Sequence, residues 1–284
     1  MNTSFKKSMP IIIIFIFSFL LSSCTPSKST GLAIGTDLNQ SPLSSLSWGM
    51  TKEDITEALN LTEEDLIPLM DPYDWMRTDF DISNYTIPDG ETADSFLLRQ
   101  PTDVLGIPAK QVVFRVMNTS GLIGQPSSDL LLYEIYVWFP YENESSLSQL
   151  KDTIQQSYGE SSAVRINPDL IQSGAPKTAP VDDSQESLWY SSQSLYDTLD
   201  FEANSYYQQV LSKTQPLWSN QEAWDARLKS CFLTSVNLLF SEDQYYNVGE
   251  GGYSKQDPPL IELNFNGGYA CIAKTLQSLY PTEE

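Results

Sequence analysis

The sequence contains no histidine among its 284 residues. Without histidine the chain cannot build a Ser-His-Asp or Cys-His nucleophile system, and it lacks the usual general base near neutral pH. Zincin-type metal sites are excluded for the same reason. Catalysis would have to depend on carboxylate, Lys, Tyr or Ser side chains, and we find no constellation of these. We therefore predict a protein that is not an enzyme, with no catalytic residue, no cofactor and no metal site.

Basic residues are also scarce, since 16 Lys and Arg stand against 37 Asp and Glu and give a net charge of −21. A surface of this kind repels phosphate backbones and anionic lipid headgroups, so nucleic acid is not expected as a partner. It suits cationic partners or divalent cations instead.

Long apolar runs are absent except near the start, where residues 11–21 follow Lys6 and Lys7. This is the layout of a secretory signal, and the run is shorter than the ~20 apolar residues that span a bilayer. The run leads into Leu21, Ser22, Ser23 and Cys24. That ending resembles the lipobox of bacterial lipoproteins.

The lipobox resemblance implies that residues 1–23 are a signal peptide, that a lipid is attached to the Cys24 sulfur, and that Cys24 becomes the first residue. Several acyl chains give lasting attachment, whereas one gives only marginal binding. We expect a lipid-anchored protein on the extracytoplasmic face of the cell membrane. Its partners would be the bilayer, through acylated Cys24, and an envelope protein. The alternatives are an ordinary cleaved signal with a chance cysteine, or an N-terminal anchor helix.

Removal of residues 1–23 leaves 261 residues and takes away two lysines, so the net charge falls from −21 to −23. This length suffices for one large domain or two small ones. Residues 24–45 are rich in Ser, Thr, Pro, Lys and Gly, which predicts a flexible tether. Two α+β lobes are predicted at 46–160 and 187–284, separated by a linker or surface loop at 161–186.

Short helices are predicted where a capping residue precedes an acid by three positions, as Thr51 precedes Asp54 and Thr62 precedes Asp65. We expect Pro68 to end the second of these turns. Residues 71–100 show a weak pattern and predict irregular strands or loops.

Two alternating segments predict strands at residues 111–117 and 130–139. Asn143 is expected to cap a helix that ends at Gly159. In these elements one face is formed by Val112, Phe114 and Val116 with Tyr133, Ile135, Val137 and Phe139, and the other by Arg115 with Glu134, Tyr136 and Trp138.

The last third of the chain predicts strands at 188–191, 231–240 and 260–265 and helices at 193–211 and 219–229. A closing helix is predicted from Tyr269, and a strand through Ala273 is the alternative. The predicted fold class is α+β, an antiparallel sheet with flanking helices. Two similar lobes remain an open alternative to one domain.

The Trp48-Gly49-Met50-Thr51 helix opening, the following strands and the Tyr158-Gly159-Glu160 helix end are similar to the outer-membrane assembly lipoprotein family of the BamE/SmpA type. The likeness covers about a third of the chain. It implies a binding or scaffolding role at a membrane, and no catalytic residue carries over.

Besides Cys24, the chain contains Cys231 and Cys271. Outside the cytoplasm two cysteines can form a disulfide. The alternative is two buried free thiols, because the sequence does not give their separation.

An acidic stretch between residues 71 and 94 is the one place where a calcium site is conceivable, since Ca²⁺ takes six to eight oxygens from flexible loops. Its spacing differs from that of an EF-hand, and a solvated acidic surface is the preferred interpretation. The acids concerned are Asp71, Asp74, Asp79, Asp81, Asp89, Glu91 and Asp94.

The sequence thus favours a non-enzymatic binding or scaffolding lipoprotein whose ligand is unknown. The alternative is a carboxylate-dependent cell-wall or glycan hydrolase, because two carboxylates at a suitable separation can cleave glycosidic bonds. Ser148 and Lys151 match the Ser-x-x-Lys pattern of penicillin-recognising enzymes, but no Lys-Thr-Gly follows and a solvated helix face explains them.

Overall fold

A computed structural model describes residues 31–77, 79–100, 102–119, 129–172, 175–182, 184–198, 226–227, 229–240, 245–249, 252–255 and 257–273. Helices α1 (Lys52–Ala58) and α2 (Glu144–Tyr158) lie in these residues, together with shorter helical stretches at 226–227, 229–231 and 270–273 and 3-10 turns at Glu63–Asp65, Asp74–Met76 and Leu195–Thr198. The strands are β1 (Ile34–Asp37), β2 (Ser41–Leu43), β3 (Leu66–Leu69), β4 (Ser95–Leu98), β5 (Asp103–Val104), β6 (Ile107–Pro108), β7 (Gln111–Asn118), β8 (Leu130–Pro140), β9 (Val164–Gln172), β10 (Ala175–Pro180), β11 (Glu186–Tyr190), β12 (Ser235–Phe240), β13 (Tyr245–Gly249), β14 (Gly252–Lys255) and β15 (Leu260–Asn266).

A seven-stranded sheet dominates the fold, in the order β11-β12-β15-β8-β7-β4-β3, with every neighbouring pair antiparallel. This confirms an α+β fold built on an antiparallel sheet. Strands β3 to β8 come from the predicted N-terminal lobe, and β11, β12 and β15 from the predicted C-terminal lobe. The β8–β15 pairing joins the two groups, while the lobe boundaries themselves stay a prediction.

The first face of the sheet carries the main hydrophobic core. The alternation predicted for β7 is confirmed there, since Val112, Phe114 and Val116 are buried in one cluster. Ile55 of α1 and Ile154 of α2 belong to the same cluster. Burial of a side chain of this size contributes about 1.5–3 kcal/mol, so the cluster is the principal source of stability.

The helix ends follow the predicted capping chemistry. The Thr51 side chain accepts a hydrogen bond from Asp54 N at 3.2 Å, and the Asp54 carboxylate accepts one from Thr51 N at 2.9 Å. Asn143 caps α2, because its Oδ1 accepts from Ser145 N at 2.8 Å. Gly159 ends α2 with a φ of 82°, a conformation that side chains with a Cβ rarely adopt.

A bulge in β8 changes one predicted orientation. Arg115 pairs with Glu134 and Val116 with Leu132, so Tyr133 is the extra residue between them. Leu132 therefore joins the first-face core, and Tyr133 packs instead against the small cluster around Ile272. The strict alternation that placed Tyr133 with Ile135 was wrong, since a bulge shifts the period by one residue.

The predicted tether at 24–45 is wrong for residues 31–45, which are folded. This segment forms the β1–β2 hairpin, and Leu32, Leu38 and Leu43 are buried in the first-face core. Gly, Ser and Thr are abundant here because the hairpin and its turns use them, and the isolated leucines supply the burial. Only residues 24–30 of the predicted tether lie outside the described residues.

The predicted linker at 161–186 contains an antiparallel hairpin formed by β9 and β10. The described side chains at 163–165 and 177–180 are exposed. Since these described side chains are exposed, no alternation of buried apolar and exposed polar residues marks their part of the hairpin as strand.

Other elements differ in their bounds. The turn at Thr62 is a 3-10 turn, and Pro68 lies within the edge strand β3 instead of ending a helix. Residues 71–100 include strand β4. Strand β12 begins at Ser235, after a helical turn at 229–231, and residues 270–273 are helical as predicted. The predicted helices at 193–211 and 219–229 lie largely outside the described residues. Within the part of the chain that the structure describes, no helix has the length and apolarity needed to cross a membrane.

Candidate functional site

The second face of the sheet carries the polar and aromatic residues. As predicted for β8, Glu134, Tyr136 and Trp138 share this face, and residue 138 is only 1% exposed. The face is covered because residues 70–94 fold back over it. The side chains of this segment that pack against the second face are Trp75, Met76, Phe80, Ile82 and Tyr85.

Aromatic rings hold the covering segment in place. Tyr136 and Trp138 stack at a centroid distance of 5.5 Å and an angle of 10°. Tyr73 and Trp75 approach the Trp138 ring edge-on at 5.6 and 5.1 Å. Each such pair contributes about 0.5–1.5 kcal/mol beyond its buried area, so Trp138 is the main contact of the segment.

Glu262 is a carboxylate beneath this aromatic layer. The Tyr73 hydroxyl donates to its Oε1 at 3.1 Å, and the Trp138 indole nitrogen donates to its Oε2 at 3.1 Å. Burial raises the pKa of the Glu262 carboxyl above its ordinary value, and the two hydrogen bonds act in the opposite direction. It has no ion-pair partner among the described residues.

Glu134 is a second carboxylate of this face and is paired. Arg115 Nη1 lies 3.1 Å from its Oε2, and Asn266 Nδ2 donates to its Oε1 at 2.7 Å. The Tyr136 hydroxyl donates to Oε2 at 3.3 Å, and Arg115 also reaches Asp94 Oδ2 at 3.5 Å. Burial raises the pKa of Glu134, and the nearby guanidinium offsets part of that rise.

The two carboxylates are separated along the sheet. Glu134 pairs across the ladder with Asn266, and Trp138 pairs with Glu262. The two glutamates are thus four residues apart along the strand direction, which is about 14 Å at 3.4 Å per residue. Glycosidase chemistry depends on the separation of the carboxyl groups themselves, ~5–10 Å. The charge of Glu134 contributes to the raised pKa of Glu262, so the two carboxyl groups interact across this backbone spacing.

A pocket of about 410 Å³ lies within the covering segment. Asp74 Oδ2 organises it, since it accepts hydrogen bonds from Asp71 N at 3.1 Å and from the Tyr85 hydroxyl at 2.8 Å. The Phe80 and Tyr85 rings stand 5.1 Å apart. The pocket is lined by Met70, Asp71, Asp74, Arg77, Asp79, Phe80, Tyr85, Thr86 and Pro88.

The charges of this pocket do not cancel. Arg77 binds Asp79 through two hydrogen bonds of 3.0 Å, which neutralises its guanidinium. Asp71 and Asp74 have no ion pair within the described part of the chain. The pocket therefore combines two uncompensated carboxylates with two aromatic rings.

The acids that suggested a calcium site are used mainly in local structure. Asp71, Asp74 and Asp79 meet at the pocket, whereas Asp81 accepts from Ser83 N at 2.9 Å within its own turn. Asp94 lies beside Arg115 instead. Over the described ranges, no three Asp, Glu or Cys side chains are arranged to hold a metal ion.

The cysteines occupy different settings. Cys24 lies outside the described residues. Cys231 is partly exposed and Cys271 is buried, and Tyr269 N donates to the Cys231 carbonyl at 3.2 Å, which brings their segments together. Burial raises the pKa of the Cys271 thiol to about 12. A disulfide between them stays a prediction.

Sequence reasoning missed the roles of Glu134, Glu262 and Arg115. Each is a charged residue at a polar position of an alternating strand, which normally indicates a solvated face. The sequence feature that could have indicated burial of Glu134 is the pair of large rings beside it, because Tyr136 and Trp138 follow it on the same face of the strand. A face that carries such rings is more often covered than solvated.

Comparison with known proteins identifies no relative: no protein-family model, no curated protein and no solved structure matches this chain.

Neutralisation of the unpaired acid is expected to stabilise the protein. Because the folded-state pKa of Glu262 is raised, its ionisation costs stability as the pH rises above its ordinary value of 4.5. Glu262→Gln keeps an acceptor for Tyr73 and Trp138 and removes the charge. We expect the free energy of unfolding at pH 7 to rise by roughly 1 kcal/mol, measured by urea denaturation.

The exposed change Glu160→Gln serves as the control and should leave stability within ~0.5 kcal/mol. The difference in the free energy of unfolding between the Glu262→Gln variant and wild type should shrink as the pH falls toward 4.5, because the wild-type carboxyl is then protonated. A variant that is less stable than wild type at pH 7 contradicts the assignment.

Proposed function

We propose that this protein is a non-enzymatic binding protein that acyl chains on Cys24 hold at the extracytoplasmic face of the cell membrane. The leader of residues 1–23, the lipobox and the strongly acidic composition support this proposal. The likeness to the BamE/SmpA-type lipoproteins is consistent with a scaffolding role. Helices α1 and α2 flanking the sheet, and a division into two lobes, belong to the same proposal.

The pocket of residues 70–88 is the observation that carries the binding role. Its two uncompensated carboxylates, Asp71 and Asp74, favour a positive charge, and the Phe80 and Tyr85 rings line the same pocket. A cation over such a ring gains about 0.5–2 kcal/mol. The ligand class that fits is an organic cation, either a small amine or a lysine or arginine side chain of a protein partner.

A carboxylate-dependent hydrolase is the second candidate. The raised pKa values of Glu134 and Glu262 favour it, because a general acid at neutral pH needs such a shift. The hydrogen bonds that occupy both carboxylates, and the ion pair of Glu134 with Arg115, weigh against it. Release of reducing sugar from peptidoglycan or glycan substrates, lost in Glu262→Gln, would support this candidate over ours.

Anchoring is tested by Cys24→Ala in the full-length chain. The variant has no sulfur to acylate, so we expect it to leave the membrane fraction almost completely. Fractionation with metabolic palmitate labelling measures both effects. A leader-swapped form carrying another lipobox signal is the control and should restore both. Membrane retention without label in wild type would overturn lipid anchoring.

Cation binding is tested by Asp71→Asn/Asp74→Asn, which keeps the turn acceptors and removes two charges. The ligands are choline and N-acetyl-lysine methylamide, and their binding is followed by the NMR signals of the pocket tyrosine. We expect the double variant to bind them roughly 5- to 30-fold more weakly than wild type, which corresponds to ~1–2 kcal/mol.

The matched control for that titration is Asp152→Asn/Glu160→Gln, which makes the same change of net charge at exposed positions of α2 and its end. Equal affinities of the two double variants would mean that only overall charge attracts the cation. Binding of N-acetyl-lysine methylamide without binding of choline would indicate that the natural ligand is a side chain of a protein partner.

A further inference from the structure

The chain enters the folded body at a fixed point. Leu32 is 3% exposed, its N–H donates to the Asp103 carbonyl at 2.7 Å, and its carbonyl accepts from Leu105 N at 2.8 Å. It also forms a parallel bridge with Val104. Residue 32 is therefore held against the β5–β6 hairpin, residues 103–108.

The covalent length from the anchor to this point is short. Eight residue steps separate Cys24 from Leu32, which span at most about 29 Å when fully extended. A compact body of this size measures about 45 Å across, so Leu32 cannot lie on the side away from the lipid.

We infer that the protein has a fixed membrane-proximal side, formed by Leu32 and the β5–β6 hairpin, with the residue 70–88 pocket on the opposite side of the sheet. This rests on the lipid anchor of the proposed function. The part of the surface that faces the bilayer suits a lipid headgroup layer, because it lies close to the anchor and carries little charge.

Charge distribution supports the orientation independently. Residues 25–50 contain one base, Lys28, and one acid, Asp37, in a chain whose mature net charge is −23. In the hairpin region, residues 104–109 are uncharged, and the Lys110 that follows places its Nζ 5.7 Å from the centroid of the Trp75 ring. Each charge near an anionic surface is worth ~1 kcal/mol, so this weakly charged part of the chain can approach the bilayer more closely than the exposed acids of α1 and α2, such as Glu53 and Asp152.

The two sides are separated by the sheet itself. Leu32, Leu38, Val104 and Ile154 belong to the first-face core, and the Tyr158 hydroxyl donates to the Pro42 carbonyl at 3.2 Å. Residues 70–94 cover the second face. Packed layers stand ~10 Å from a sheet on each side, so the anchor point and the pocket segment lie on opposed layers. A partner thus reaches the pocket from the aqueous side.

The test uses lipidated full-length protein in vesicles of phosphatidylcholine and phosphatidylglycerol. Pro108→Cys and Thr86→Cys place a fluorophore at exposed positions of the hairpin and the pocket, in a Cys231→Ser/Cys271→Ala background. A headgroup nitroxide lipid should quench the residue 108 label roughly twofold or more strongly than the residue 86 label, because their layers are opposed.

Insertion of about twenty Gly and Ser residues after Thr30 should abolish the difference, since the longer tether removes the constraint. Equal quenching with the native tether, or stronger quenching at residue 86, would overturn the orientation. Failure of the anchor is a separate result: the protein would not float with the vesicles at all. Flotation with equal quenching therefore rejects the orientation alone.

Discussion

Replacement of Arg115 by Met is expected to lower the free energy of unfolding by about 3 kcal/mol, at the low end of the ~3–5 kcal/mol for breaking a buried ion pair. Glu134 is 7% exposed, and among the described residues its charged hydrogen bond comes from Arg115. Met fills much of the same space, so most of the loss comes from a carboxylate left without its counter-charge. Urea denaturation at pH 7 measures it.

A second change separates charge from packing. In Arg115→Met/Glu134→Gln the buried charge is gone, and we expect most of the lost stability to return, because the Gln oxygen still accepts from Asn266 and the Gln N–H can donate to the Tyr136 hydroxyl oxygen. Acidification should also narrow the gap between the single variant and wild type, since the pKa of Glu134 is already raised by burial. A loss that neither the second substitution nor low pH reduces would show that Arg115 acts through packing.

Replacement of Trp48 by Ala is expected to cost about 3–5 kcal/mol, as for other fully buried aromatic residues. Trp48 is 1% exposed, and its indole nitrogen donates to the Leu38 carbonyl at 2.8 Å. Its ring lies so close to Gly267 that a Cβ there would be 2.6 Å from Cδ2. This side chain thus ties the N-terminal segment to the turn after β15, and thermal and urea unfolding should both report its loss.

Two matched variants test that contact. Trp48→Phe loses the hydrogen bond and part of the ring, so about 1–2 kcal/mol is expected. Gly267→Ala should destabilise wild type by ~1–3 kcal/mol and should cost much less in the Trp48→Ala background, where the cavity accepts the methyl group. Equal costs in both backgrounds would mean that Gly267 is not constrained by the tryptophan.

Local chemistry made parts of this fold predictable. Helices α1 and α2 begin where Thr51 and Asn143 offer side-chain acceptors, and the signal lies within three residues. The strands around Phe114 and Leu263 alternate because one face packs in the apolar core and the other carries polar and aromatic side chains, and that period is also local. Residues 31–45 were misassigned because their burial depends on distant segments, whereas the β9–β10 hairpin was missed because its described side chains at 163–165 and 177–180 are exposed.

The candidate site was far less predictable, because it depends on which strands are neighbours. Glu134 and Glu262 belong together only through the β8–β15 pairing, which no local pattern announces. Covering of Trp138 depends on residues 70–94 folding back over the sheet. The acidic pocket residues Asp71 and Asp74 were noticed as a cluster, but their relation to Phe80 and Tyr85 needed the turn geometry.

The β8–β15 pairing also affects how the protein folds during its synthesis. Asn266 meets Glu134 from 132 positions further along the chain. Synthesis at ~5–20 residues per second means that β8 waits roughly 10 s with one edge unpaired. Closure of so long a loop adds to the barrier and slows folding. The nascent protein therefore spends that interval open to edge-to-edge association, and a chaperone that shields extended strands would raise its yield.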